Sequence, residues 1–184
     1  MNIYFTASAR SKINYSPNLT QVFRSIERLG HTNLDDFVIK VDDKKLYDGK
    51  SFKIETIYKN AIRLVTLSDI IILEVSEPSI SMGYVLNTAL ELGKPVILLH
   101  VKNKYPIFVS GITNQNLQVI EYSLSNLHIQ LSTALSCATT TKFTRFNFFL
   151  SPLHDNHLTK MARIHHVPKS VYLRELIEND ISHC

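Results

Sequence analysis

The sequence predicts an α/β protein: a parallel sheet covered by helices on both faces, followed by a short helical tail. Short apolar runs rich in β-branched residues alternate with stretches whose apolar residues recur at helical spacing. Two of those helical stretches run into glycine, at Gly30 and at Gly93-Lys94-Pro95, which marks a stop before the next run. The 184 residues are 45% hydrophobic and 20% charged, enough to bury the core of one domain with an appendage and too apolar for a disordered tail.

In chain order, the first strand is expected over Asn2 to Thr6. Leu19, Val22, Phe23, Ile26 and Leu29 then define a helix behind Ser16-Pro17, a cap and first-turn proline. A second strand is expected over Asp36 to Ile39. Lys40 to Lys53 carries Asp42, Asp43, Lys44, Lys45, Asp48 and Lys50 and reads as a surface excursion placed to act as a lid. Ile54, Ile57, Tyr58, Ala61, Ile62 and Val65 mark the next helix, Asp69 to Val75 a third strand, and Tyr84, Leu86, Ala89 and Leu90 a further helix. Pro95 to His100 and Leu117 to Tyr122 supply the last two strands, and Leu124, Leu127, Leu131 and Leu135 a final helix. Five strands suggest the flavodoxin-like order, with ligands bound beyond the strands' carboxyl ends. This domain is expected to span residues 1 to 136, with a polar linker at 137 to 141.

Residues 142 to 184 differ in style. Phe146, Phe148 and Leu150 alternate with Arg145, Asn147 and Phe149, the pattern of a two-faced strand. Ser151-Pro152 opens a helix carrying Leu153, Leu158, Met161, Ala162 and Ile164, and Val167-Pro168 precedes another with Val171, Tyr172, Leu173, Leu176 and Ile177. One strand and two helix faces in so few residues cannot bury a core alone, so a partner chain or the main domain must complete it.

The net charge of +4 and pI near 9.0 divide evenly, +2 in residues 1 to 141 and +2 in the tail, too thin to mark a nucleic-acid surface. Two cysteines, Cys137 and Cys184, exclude a multi-disulfide scaffold. The opening MNIYFTASAR lacks the apolar core of a signal peptide, and runs such as Ile70 to Leu73 fall far short of the ~20 residues of a membrane span. A cytoplasmic protein away from membranes is expected. His154 and His157 share a helical face, but no acid or cysteine completes a ligand set, so no metal or cofactor is expected.

The informative stretch is SDIIILEVSEPSISMGYVLNTALELGKPVILL, from Ser68 to Leu99. With IYFTASAR at the start, it resembles the nucleoside 2-deoxyribosyltransferase-like family, which includes the 2'-deoxynucleoside 5'-phosphate N-hydrolases. Physical reasoning supports a nucleotide pocket here: the amides of a helix start after Ser79-Ile80-Ser81-Met82-Gly83 and the charge of Arg10, beside Ser8, suit a phosphate. The resemblance assigns these loops the sugar-phosphate end of the substrate, and Tyr4 and Tyr84 match aromatic positions of the family, either to stack on a base or sugar face or to pack in the core. It also implies a glutamate directly after Gly83-Tyr84 that attacks the anomeric carbon, where this chain has Val85, which cannot be a nucleophile. A second family carboxylate falls at Ala61, beside Asn60. Glu74 and Glu77 are the remaining acids near the pocket mouth, Glu74 as a ligand contact or a satisfied buried acid, and both as weak candidates for catalysis.

Phe143 to Asp180 resembles the ribbon-helix-helix family, which implies a homodimer built on paired strands. Arg145 and Asn147 would then be the outward strand residues able to meet DNA bases, although the thin charge favours dimerisation. The expectation is a dimeric binder of a nucleotide-like small molecule that has lost turnover. The alternatives are an active glycosidase or transferase using Glu74 or Glu77, and a DNA-binding regulator.

Overall fold

The computed structural model describes residues 1–41, 53–140, 149–165 and 167–182. It divides into two compact units, Met1–Arg145 and Phe146–Cys184, taken separately below.

Four strands of the first unit are long: β1 (Asn2–Ala7), β3 (Ile70–Glu74), β4 (Val96–Val101) and β5 (Leu117–Tyr122). With the short β2 (Thr32–Asn33) they form one parallel sheet in the order β2-β1-β3-β4-β5. Helix α1 (Ser11–Arg28) and helix α5 (Leu127–Thr140) cover one face, where Phe5, Ile72, Leu99 and Tyr122 meet Leu19, Val22, Leu131 and Leu135. Helix α3 (Ile54–Leu67) and helix α4 (Ile80–Glu91) cover the other, where Tyr4, Ile71, Leu73 and Leu98 meet Leu64, Val65, Val85 and Leu86. The central strands are buried on both sides, which is why they read as unbroken apolar runs rather than alternating ones. Gly30 and Gly93 end α1 and α4 in left-handed conformation, as their placement predicts.

Three expectations are corrected. The second strand is Thr32–Asn33, and the run expected as strand, Asp36 to Ile39, instead enters a single helical turn, α2 (Phe37–Lys40). Polar caps override the β-branched pattern there: Asp35 Oδ1 accepts from the Phe37 amide at 3.2 Å, and Lys12 Nζ donates to the Ile39 carbonyl at 2.6 Å and to that of Val41. Helix α1 begins at Ser11 and is kinked at the non-helical Tyr15, so Ser16-Pro17 opens only its second segment. The linker expected at 137 to 141 is helical through Thr140, because Ala138 continues the buried face of Leu131, Ala134 and Leu135. The lid stretch from 42 to 52 lies outside the described residues.

In the second unit, α6 (Pro152–Ile164) and α7 (Lys169–Ser182) follow the two predicted starts. Ser151 Oγ accepts from the His154 amide at 3.3 Å and caps α6. An ion pair between Lys169 and Asp155 at 2.8 Å and the His165 ring 5.0 Å from Tyr172 link the helices. Ala162 and Tyr172 are buried, whereas Leu153, Ile164, Leu176, Ile177 and Ile181 are exposed. Arg145, Asn147 and the ribbon strand from 146 to 148 lie outside the described residues, and Phe149 is fully exposed.

Candidate functional site

In the order β2-β1-β3-β4-β5, connections leave β1 and β3 toward opposite edges, so a crevice opens between their carboxyl ends. Ala7 pairs with Glu74 at this end of the sheet, which brings together the loop Ser8–Arg10 and the loop from Val75 to Ser79. Helix α4 starts from the second of these.

Ser8 is buried, its carbonyl accepting from the Ser11 amide at 2.9 Å and its hydroxyl from the Arg10 amide at 3.3 Å. Those bonds turn the chain into α1 and leave the Arg10 side chain at the surface. Ser79 is the extended N-cap of α4 and makes no side-chain cap bond, so its hydroxyl is not committed to the helix. Ser81 is exposed, and the amides of the first turn have no acceptor within the helix. Gly83 is exposed on the same turn. Its φ is not positive and a Cβ there would meet nothing within 4 Å, so neither backbone nor packing requires glycine. Inside a helix it costs about 1 kcal/mol against alanine, and it leaves the first turn of α4 open on that side.

Tyr4 and Met82, named among the expected ligand contacts, are buried in the apolar cluster between the sheet and α3 and α4, the packing alternative for Tyr4. Burial pushes the Tyr4 phenol up to about 12, opposed by its hydrogen bond with Thr6 and reinforced by the negative charge of Asp35. Val85, only 5% exposed, sits in this cluster with Tyr4, Leu73 and Met82, a setting with no provision for a carboxylate. Tyr84 is half-exposed, its hydroxyl 2.9 Å from that of Tyr58.

Glu74 lies across the sheet from Val85, in the layer beneath α1 and α5, and is fully buried. Its Oε1 accepts from the Ser76 hydroxyl in a short bond, from the Ser76 amide at 3.3 Å and from the Tyr122 hydroxyl at 3.4 Å. Burial raises the Glu74 pKa above the ordinary carboxylate value, with the Ser76 and Tyr122 bonds opposing the rise and Glu77 adding to it. Glu77 itself is half-buried in the turn before Pro78. The register therefore places the loop of Ser8 and Arg10 beside the loop that leads into Ser79 and α4, and the two faces of the sheet separate Glu74 from Val85.

Sequence reasoning missed three groups here. Asp35, beyond β2, charges the Tyr4 side of the sheet from just before the run expected as the second strand, where no local motif marks it. Ser76 and Tyr122 complete the Glu74 network, a contact 48 residues apart that no local motif announces. His100, 2% exposed at the end of β4, donates from Nδ1 to the Val101 carbonyl at 3.0 Å and lies edge-on to Tyr105. Among the described residues no cluster of acids, histidines or cysteines could hold a metal ion, and no helix is long and apolar enough to cross a membrane.

No family model matches the sequence. The chain is 28% identical over 126 residues to a Thermofilum pendens protein named as a 2'-deoxynucleoside 5'-phosphate N-hydrolase, covering 67% of this chain and 86% of that one. It is 29% identical over 104 residues to the 5-hydroxymethyl-dUMP N-hydrolase of Danio rerio, 54% of this chain and 68% of that one. The structure of the Clostridium botulinum CMP N-glycosidase superposes with a TM-score of 0.50 at 17% identity, covering 74% of this chain and 98% of that chain, a likeness of fold. The two sequence relatives are thus both named as nucleotide N-hydrolases, and the solved structure shares the fold.

Proposed function

We propose that the α/β unit binds a nucleotide-like ligand, its phosphate at the crevice of Ser8, Arg10, Ser79, Ser81 and Gly83, and does not turn it over. The observation that carries this reading is Val85. Cleavage of a glycosidic bond requires a carboxylate at the anomeric carbon and an acid for the leaving base. The position the family resemblance gives to that carboxylate is a valine packed among Tyr4, Leu73 and Met82. Glu74, the acid at the end of β3, faces the other layer and already accepts three hydrogen bonds on one oxygen. The open helix start, uncommitted Ser79 and unforced glycine support retained binding.

The direct test is a thermal-shift panel with CMP, dUMP, the parent nucleosides and ribose 5-phosphate, run beside chromatography for released base. A ligand that binds the native state raises the melting temperature with concentration. Stabilisation by a nucleotide without base release supports the reading. Base release lost in Glu74→Gln or Glu77→Gln would replace it with an active glycosidase, and Asp35→Asn belongs in the same series because Asp35 charges the Val85 side.

The tail serves as a dimerisation unit in this reading. Among the described residues of this 39-residue unit, seven large apolar residues are exposed while Ala162 and Tyr172 are buried, which favours a second copy as the missing half of its core. Sequence-selective DNA binding lost on changing Arg145 and Asn147 would identify a regulator instead. The compartment that fits a reduced, nucleotide-binding protein is the cytoplasm.

A further inference from the structure

We infer that Glu74 is a positioning residue that holds the β3–α4 loop through Ser76, acting as a hydrogen-bond acceptor and not as a charge. Ser76 is 1% exposed and its hydroxyl serves two neighbours at once: it donates to Glu74 Oε1 and accepts from the Val101 amide at 2.9 Å. That amide lies where β4 ends, so the hydroxyl ties the loop leaving β3 to the adjacent strand. Glu74 fixes the rotamer that makes this possible, and its Oε1 also receives the Ser76 amide and the Tyr122 hydroxyl. Tyr122 packs in the layer beneath α1 with Leu19 and Val22, so the bracket reaches from that layer to the loop.

The distribution of partners tells which property of Glu74 is used. All three donors converge on Oε1, while Oε2 is buried without a partner. An ionised carboxylate spreads its charge over both oxygens and requires donors at each. A neutral carboxyl keeps Oε1 as a carbonyl acceptor and leaves a single O–H at Oε2 unpaired, a smaller penalty than an unpaired share of negative charge, and an amide of the same shape supplies the same acceptor. The loop so held runs directly into Ser79 and the start of α4. The link from loop to ligand rests on the proposed nucleotide site, whereas the bracket itself does not.

The test reads amide hydrogen exchange at Val101, which touches Ser76 and not Glu74. In Ser76→Ala that amide loses its acceptor, and exchange is expected to speed up by about fivefold or more. In Glu74→Ala the same amide is expected to speed up comparably, although its own acceptor remains, because the hydroxyl is no longer fixed. Glu74→Gln is expected to restore wild-type protection. Unchanged Val101 exchange in Glu74→Ala overturns the inference, and so does a Glu74→Gln protein as unprotected as Glu74→Ala. If Glu74→Ala does not fold, the comparison of Glu74→Gln with Ser76→Ala decides the matter by the same criterion. Thermal shift with CMP and dUMP runs alongside. Wild-type protein that binds neither defeats the nucleotide reading and leaves the Val101 result to judge the bracket.

Discussion

Val85→Glu restores the residue type that the family resemblance places after Gly83-Tyr84, and the structure sets its consequence. Val85 is 5% exposed, and full burial of a valine contributes roughly 1.5 kcal/mol or more. Glutamate forfeits that contribution, and its longer side chain overpacks the cluster of Tyr4, Leu73, Met82 and Leu86 by ~1–3 kcal/mol. An uncompensated buried carboxylate adds several kcal/mol, limited by how readily it takes up a proton. The nearby negative charge of Asp35 works in the same direction. The variant is therefore expected to be less stable by about 3–5 kcal/mol at pH 8. Its carboxyl has a folded pKa above the unfolded value, so part of the loss is recovered as the pH falls through that folded pKa toward 5. Urea denaturation at both pH values measures this, with base release assayed in parallel. A variant within about 1 kcal/mol of wild type at pH 8 would refute the reasoning. The face would then supply donors or solvent to a carboxylate, and Val85 would be a substitution in a working catalytic seat.

Three further outcomes follow from particular contacts. Burial raises the folded pKa of Glu74, so the stability that its proton confers is complete below the ordinary carboxylate range and is lost as the pH rises through the folded pKa. Glu74→Gln, which cannot ionise, is expected to gain on wild type over that range in urea titrations, with Glu77 and Tyr122 unchanged; a difference independent of pH would contradict it. Lys12→Met removes the donor to the Ile39 and Val41 carbonyls and is expected to cost about 1–3 kcal/mol, seen as a lower urea midpoint with unchanged slope. A protein ended at Arg145 is expected to keep its cooperative melting transition but sediment as a smaller species than the full chain, since the α/β unit has its own two-layered core.

Strands β1, β3 and β4 were legible because each is buried on both faces, and such strands write themselves as continuous apolar runs. Strand β2 was not. Only Thr32 and Asn33 pair with Asn2 and Ile3, too few for a pattern, while Phe37, Val38 and Ile39 carry the composition of a strand into a helical turn. Their conformation is decided by Lys12, 27 residues earlier, and by Asp35 beside them. The loops of the candidate site were legible for the opposite reason: Ser79, Ser81 and Gly83 form a local motif at a helix start. The Glu74 network was not, because it depends on which face of β3 each residue takes and on strands that meet only in the fold.

That alternation of faces bears most directly on chemistry. Side chains along β3 point to opposite layers in turn, so Leu73 joins the cluster around Val85 while Glu74 joins Tyr122 under α1. Moving Glu74 to the Val85 side would require a one-residue slip of β3 against both neighbours, which would carry Ile70 to Leu73 to the wrong faces and break the pairings of Ala7 and Leu99 with Glu74. Retaining glycosidases set their two carboxyl groups only about 5 Å apart, and inverting ones about 6.5–9.5 Å, on either side of one sugar. An acid beneath the sheet, bonded to Ser76 and Tyr122, is separated from that arrangement by the sheet itself. Its position answers a different requirement, since the loop that opens α4 needs an anchor at the place where β3 stops pairing.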